Sequence, residues 1–180
     1  MKTFLKEIKF PSTETTYLRD ITPEVRDAIK KAKVVSGFVF VVSKHTTLGI
    51  VINEIAEPNL LDDIIHHTLN MVHEDKRSTW CEESDYPHPT CDYKHRCQDS
   101  PLKPADETDE DYNAGRHIRS LLFSHPSVVA AIKDGNLELG KYQQIAIFEF
   151  DGRNGKGKNP IRQRTVQVWI HPTDGIELLD

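Results

Sequence analysis

The sequence predicts an α+β fold: a mostly antiparallel β-sheet or sandwich with a few helices. Two observations lead there. Short segments of alternating or continuous apolar residues, the patterns of half-buried and buried strands, recur through the chain. They do not alternate regularly with helical patterns. The order reads β-α-β-β-α, a long polar interval, then α-β-β-β, so strands follow strands in the second half and a regular βαβ sheet is excluded.

The elements follow in order. "KTFLKEIKF" sets Phe4/Leu5, Ile8 and Phe10 among charges and reads as a first strand, with "STETTYLRD" extended or turning after it. "TPEVRDAIKKAK" predicts a helix, with Thr22 as N-cap, Pro23 at N1 and Glu24 in the first turn. "GFVFVV" (37–42) is a buried strand and "LGIVIN" another. Asn59 is placed to cap a helix through "LLDDIIHHTLNMVH". "YNAGRHIRSLLFSH" restores helical spacing through Ala114, Ile118, Leu121 and Leu122. Three strand-like segments then follow, the first carrying the Asp134-Gly135 hairpin signal.

At 180 residues the chain is expected to be a single domain spanning 1–180, with a long loop insertion at about 74–112 where apolar periodicity disappears. A hydrophobic fraction of 37% and a charged fraction of 28% suit a soluble globular core. A net charge of -5 and a pI near 6.0 argue against a nucleic-acid partner. No apolar run approaches a membrane span and the first residues show no secretory signal, so a cytoplasmic location and no membrane contact are the expectations.

Polar residues collect at the ends of the apolar elements. "SKHTTLGIVINE" brings His45, Thr46 and Thr47 between two strands and closes the second on Asn53 and Glu54. Asp63 shares a helix face with His67, and Asn113 with His117, each pair being i, i+4. Arg116 and Arg119 are expected to point elsewhere. His45, Glu54, Asp63, His95 and His117 form a set that suits either a divalent ion or general acid–base work. Gln143 opens a strand that Glu149 and Asp151 close. Spacing alone does not bring these groups together, and a lone helical His is more often a surface or satisfied core residue.

Two further features have bland readings beside the sharp ones. Cys81, His88, Cys91, His95 and Cys97 could hold zinc, but they lack CxxC spacing, and an odd cysteine count equally describes free thiols in a loop. The Gly/Lys-rich stretch at 152–164 is no Walker loop; it could gather Lys156, Lys158, Arg162 and Arg164 around an anion or be a solvated hairpin. Arg164 stands apart because it adjoins a strand.

Taken as a series, "HTTLGIVINE", "EPNLLDD", "YKH", "NAGRHIRSLL", "DGNLELGKYQQIAIFEFDG" and "RQRTVQVWI" resemble the YjbQ (UPF0047) family from about Phe4 to Ile170. The family's motif positions fall on His45, Thr46, Thr47, Asn53, Glu54, Asp63, Tyr93, His95, Asn113, His117, Gln143, Glu149 and Arg164. Tyr142 stands where the family usually has Trp, and the interval around the cysteines is longer than usual. The resemblance implies a compact α+β homotrimer with a His-rich pocket near a subunit boundary, binding metal or anion. It also implies weak thiamine-phosphate synthase activity, joining a hydroxymethylpyrimidine diphosphate to a thiazole phosphate with release of pyrophosphate.

On that reading His45, Glu54 and Asp63 are the expected catalytic residues. Thr46, Thr47, Asn113, Gln143 and Arg164 are expected to bind a phosphorylated small-molecule substrate. His95 and His117 are expected to hold a divalent ion (Zn, Mg or Mn). Two rival readings stand beside it: a non-catalytic trimer binding a metal or a phosphorylated metabolite, and a polar set that only satisfies an interface.

Overall fold

In the computed structural model, residues 2–73, 113–153 and 161–175 are described. They form eight strands and three helices: β1 (Phe4–Ser12), β2 (Tyr17–Asp20), α1 (Thr22–Ala32), β3 (Gly37–Ser43), β4 (Leu48–Asn53), α2 (Pro58–Met71), α3 (Ala114–Phe123), β5 (Ser127–Lys133), β6 (Asn136–Leu137), β7 (Gln144–Glu149) and β8 (Arg162–Pro172). The expected insertion, with its three cysteines and His95, lies outside the described residues.

Every strand pairing is antiparallel. One sheet has the order β1-β8-β3-β5-β6 and the other β2-β7-β4. The α+β class is as the sequence predicts. The two sheets bury their facing rows in one core: Ile8, Val39, Val41, Val166 and Val168 from the first, Leu48, Ile50, Ile145 and Ile147 from the second. The first sheet keeps strict alternation, as β3 shows: Val39 and Val41 are buried while Phe38 and Phe40 are exposed. β7 is buried on both faces, because α2 and α3 flank its outer side around Phe148.

Local chemistry sets the helix starts, and it differs from the sequence expectation at two caps. Thr22 is the first helical residue rather than the N-cap; Asp20 Oδ1 accepts its N–H at 2.7 Å. The Thr22 hydroxyl instead accepts the N–H of Ile145 at 2.9 Å, tying α1 to β7. The cap of α2 is Glu57, whose carboxylate accepts the N–H groups of Asn59 and Leu60 at 3.1 and 2.6 Å. A longer acidic side chain one residue ahead of Pro58 reaches the first-turn donors that Asn59, already inside the helix, cannot. The Asp134-Gly135 hairpin forms as predicted, with φ of 51° and 76°.

A basic basin at the polar end of the sandwich

The inward rows of four strands turn polar at the same end. On β1 the row runs Ile8, Phe10, Ser12; on β8 it runs Val168, Val166, Arg164, Arg162. On β3 it ends Val39, Val41, Ser43, and on β7 Ile145 and Ile147 give way to Glu149 and then Asp151. The registers Phe10↔Arg164, Ser12↔Arg162 and Ser43↔Val166 align these ends.

The β3–β4 turn is fixed against this end. Ser43 Oγ donates to the Leu48 carbonyl at 2.6 Å and accepts the His45 N–H at 3.2 Å. Phe150 N–H donates to the Thr47 carbonyl at 3.0 Å, so the turn sits against the end of β7. Lys44, His45, Thr46 and Thr47 thereby join Asn113, His117, Asp151, Arg162 and Arg164 around a basin of about 290 Å³.

Two fully buried carboxylates hold its floor. Glu149 accepts Arg164 Nε at 2.7 Å and Arg164 Nη2 on its other oxygen, the Ser12 hydroxyl at 2.8 Å and the Asp151 N–H at 2.9 Å. Asp151 accepts Arg116 Nη1 at 2.6 Å and Asn113 Nδ2 at 3.2 Å, and Arg162 Nη2 forms an ion pair with it at 2.7 Å. Burial on its own would raise the Asp151 pKa, but the Arg116 and Arg162 guanidiniums outweigh it and hold the carboxyl below its ordinary value. Asp151 is therefore an anion whose oxygens are engaged.

Arg164 is aimed rather than merely present. Glu149, the Thr47 hydroxyl oxygen (3.0 Å) and the Asp151 carbonyl (3.4 Å) take Nε and Nη2. That leaves Nη1 as the arm of the fork without a partner among the described residues. His45 is equally constrained. Its Nε2 accepts the backbone N–H of Thr165 at 2.9 Å, so the proton of the neutral ring is on Nδ1. Burial and then the Arg164 charge lower the His45 pKa and favour that neutral form; Glu149 opposes them, and Arg162 adds a smaller push in the same direction as Arg164. His45 is thus a hydrogen-bond donor. With Nε2 engaged it is neither the metal ligand nor the imidazolium acid that its sequence context allows.

The model of the UPF0047 protein YjbQ-like family matches residues 6–172. The chain belongs to the YjbQ/UPF0047 family. It is 31% identical to a UPF0047 protein of Methanocaldococcus jannaschii over 75% of this chain and 76% of the relative. It is 30% identical to one of Archaeoglobus fulgidus over 81% and 90%. Among solved structures, an uncharacterised YjbQ/UPF0047 protein of Clostridium acetobutylicum superposes with a TM-score of 0.68 at 28% identity, over 92% of this chain and 99% of that one. A YbjQ-like protein of unknown function from Sulfolobus solfataricus gives 0.67 at 23% identity, over 96% and 99%, which supports the fold alone.

Among the YjbQ-type motif residues, the structure brings His45, Thr46, Thr47, Asn113, His117 and Arg164 together. It places Glu54, Asp63 and Gln143 elsewhere. β4 runs away from the basin, so Glu54 lies at its far end, roughly 20 Å along at strand spacing. Gln143 is at that same end, where its side chain accepts the Gly140 N–H at 2.8 Å. Asp62 and Asp63 are both on the exposed face of α2. His95 lies outside the described residues.

Arg116 does not point elsewhere: it is completely buried on Asp151, and Arg119, also buried, donates to the Val72 carbonyl at 2.8 Å. Asp151, Arg162 and Lys44 are the lining residues that the site expectation omits. For Asp151 and Arg162 the signal in the sequence is the alternation of β7 and β8 carried past their apolar stretches.

Proposed function

We propose that this chain binds a phosphorylated small molecule in the basin, and that its reaction is a transfer in which diphosphate departs. The thiamine-phosphate synthesis implied by the family resemblance is of this kind. One observation carries the reading. Lys44 Nζ, His45 Nδ1–H and Arg164 Nη1 are all donors without a described protein partner, and all line one basin. An ionised phosphate offers only acceptors, so the two inventories match. Thr46 and Thr47 add hydroxyls to the same wall.

The residues present also say what kind of chemistry fits. Glu149 and Asp151 are paired with guanidinium groups and His45 Nε2 with the Thr165 N–H, so what these groups do in this reading is hold the donors in place. Donors fixed in place act on the negative charge that develops as a diphosphate leaves, with no reorganisation needed at that moment. A divalent ion is a separate element. Among the described residues no group of three His, Cys, Asp or Glu side chains is placed to share one. With His45 and Asp151 engaged, His117 is the remaining described donor of the expected ligand pair. Its expected partner, His95, lies outside the described residues.

The homotrimer belongs to the same proposal. An outward row on the larger sheet supports it: Leu5, Trp169, Phe40 and Val129 are successive cross-strand neighbours, three of them exposed. The test is formation of thiamine phosphate from hydroxymethylpyrimidine diphosphate and thiazole phosphate, with binding of each measured by calorimetry and mass by light scattering. Absence of binding by either phosphorylated compound would sink the reading. Binding without turnover would leave the chain a phosphometabolite-binding protein.

A further inference from the structure

We infer that the amino end of α3 seats the ligand's phosphoryl group, of a phosphate monoester or of a diphosphate. The backbone N–H groups of Ala114 and Gly115 donate to its oxygens, together with Arg164 Nη1. This seat rests on the anion-binding reading above and adds the main-chain groups that position the phosphorus.

An asparagine at an N-cap ordinarily accepts a first-turn N–H with its side-chain oxygen. Asn113, the N-cap of the ten-residue α3, makes no such bond. Its side chain turns to the carboxylate below, where Nδ2 donates to Asp151 at 3.2 Å. The N–H groups of Arg116 and His117 reach the Asn113 carbonyl at 3.0 and 3.2 Å. Those of Ala114 and Gly115, the first two of the helix, have no partner among the described residues. Both residues are buried, and a buried N–H left unpaired costs about as much as a lost hydrogen bond. An acceptor at this end of the helix removes that cost.

The charges of that turn point the same way. Acidic residues are favoured at a helix start, yet α3 has none in its first turn and carries Arg116 and His117 among its first four residues. The neighbouring carboxylate, Asp151, is held by the Asn113 and Arg116 side chains and by Arg162, and no backbone N–H of α3 donates to it. A second observation, independent of the helix, calls for an anion at the same place. Arg164 is 4% exposed, its Nη1 has no partner among the described residues, and it lines the basin that Asn113 and His117 also line. Asp151 joins the two, since its side chain holds the first turn of α3 while its carbonyl accepts Arg164 Nη2 at 3.4 Å. Helix N–H groups beside a guanidinium are a donor set matched to phosphoryl oxygens.

The test reads the backbone amides. Glycerol phosphate, a monoester, and inorganic pyrophosphate are each titrated into the full-length chain labelled with nitrogen-15, with chloride at matched ionic strength as the control and affinity measured by calorimetry. The amide protons of Ala114 and Gly115 are expected to move downfield and to saturate at the calorimetric affinity with at least one of the two probes, and to stay in place with chloride. The arm that saturates at the lower concentration tells a monoester seat from a diphosphate seat. A probe that binds and moves the amides of Lys44 to Thr47 while Ala114 and Gly115 stay in place overturns the inference and leaves the anion reading intact. Equal movement with chloride overturns it as well, because a screened field then accounts for the shift. Failure of both probes to bind overturns the anion reading itself, and the seat with it.

Discussion

Arg164 and Lys44 show how differently two cations of one basin are held. Arg164 is buried in a bidentate pair with Glu149, and removing one member of such a pair leaves the other charge without compensation. Arg164→Met is therefore expected to lower unfolding free energy by roughly 3–5 kcal/mol in urea titrations. Changing both residues, as Glu149→Leu with Arg164→Met, is expected to cost less than the single change. A double variant weaker than the single would refute this account. Lys44 is exposed and forms no ion pair among the described residues. Lys44→Ala is expected to leave stability within about 0.5 kcal/mol. It is also expected to weaken glycerol phosphate binding and flatten its salt dependence, because an exposed charge acts through a screened field. Unchanged affinity at low salt would remove Lys44 from the site.

At the scale of elements, close packing and capping make the predictions. Gly49 sits on β4 opposite Phe148, and a Cβ there would lie 1.8 Å from Ser124 Oγ. Ser124 is buried and its hydroxyl donates to the Ser120 carbonyl at the end of α3, so it cannot simply swing away. Gly49→Ala is expected to destabilise by about 1–3 kcal/mol, and a neutral result would mean that α3 yields easily. Glu57→Ala removes the cap of α2 at a cost of about 1 kcal/mol by thermal or urea unfolding.

The same elements show what the sequence made legible. Alternation located the strands, and Asp134-Gly135 located a hairpin, because both signals are local. The split into two sheets is not legible, since β1 pairs with β8 between residues as far apart in sequence as Phe4 and Ile170. The cap at Glu57 was obscured by a better-known capping residue two positions on. For the site, residues of one turn (His45, Thr46, Thr47) and one helix face (Asn113, His117) were read correctly as neighbours. Glu54 is close to His45 in sequence, but a six-residue strand carries it to the other end of the sheet, which sequence distance does not show. Arg116 was missed because helical spacing says which residues share a face, not which face meets a buried carboxylate.

For the whole molecule, the buried ionisable groups set how stability depends on pH. His45 has a folded-state pKa below its unfolded value of about 6.5, so the unfolded chain binds more protons in the interval beneath that value. Its contribution is complete above about pH 6.5 and is lost as pH falls toward the folded pKa. Asp151 has a folded-state pKa below its unfolded value of about 3.9. Its contribution is complete above about pH 4 and is lost as pH falls through the folded pKa. Two separate losses on acidification follow, the first from a ring that must stay neutral to accept the Thr165 N–H, the second from the carboxylate that anchors Arg116 and Arg162. Urea unfolding across pH 8 to 3 is expected to show a small decline beginning near pH 6.5 and a steeper one below about pH 4. His45→Gln is expected to abolish the first decline and keep the second. A wild-type stability that rises between pH 7 and pH 5.5, or a first decline that survives the His45 change, would show that His45 is not held neutral by its place between Thr165 and the arginines.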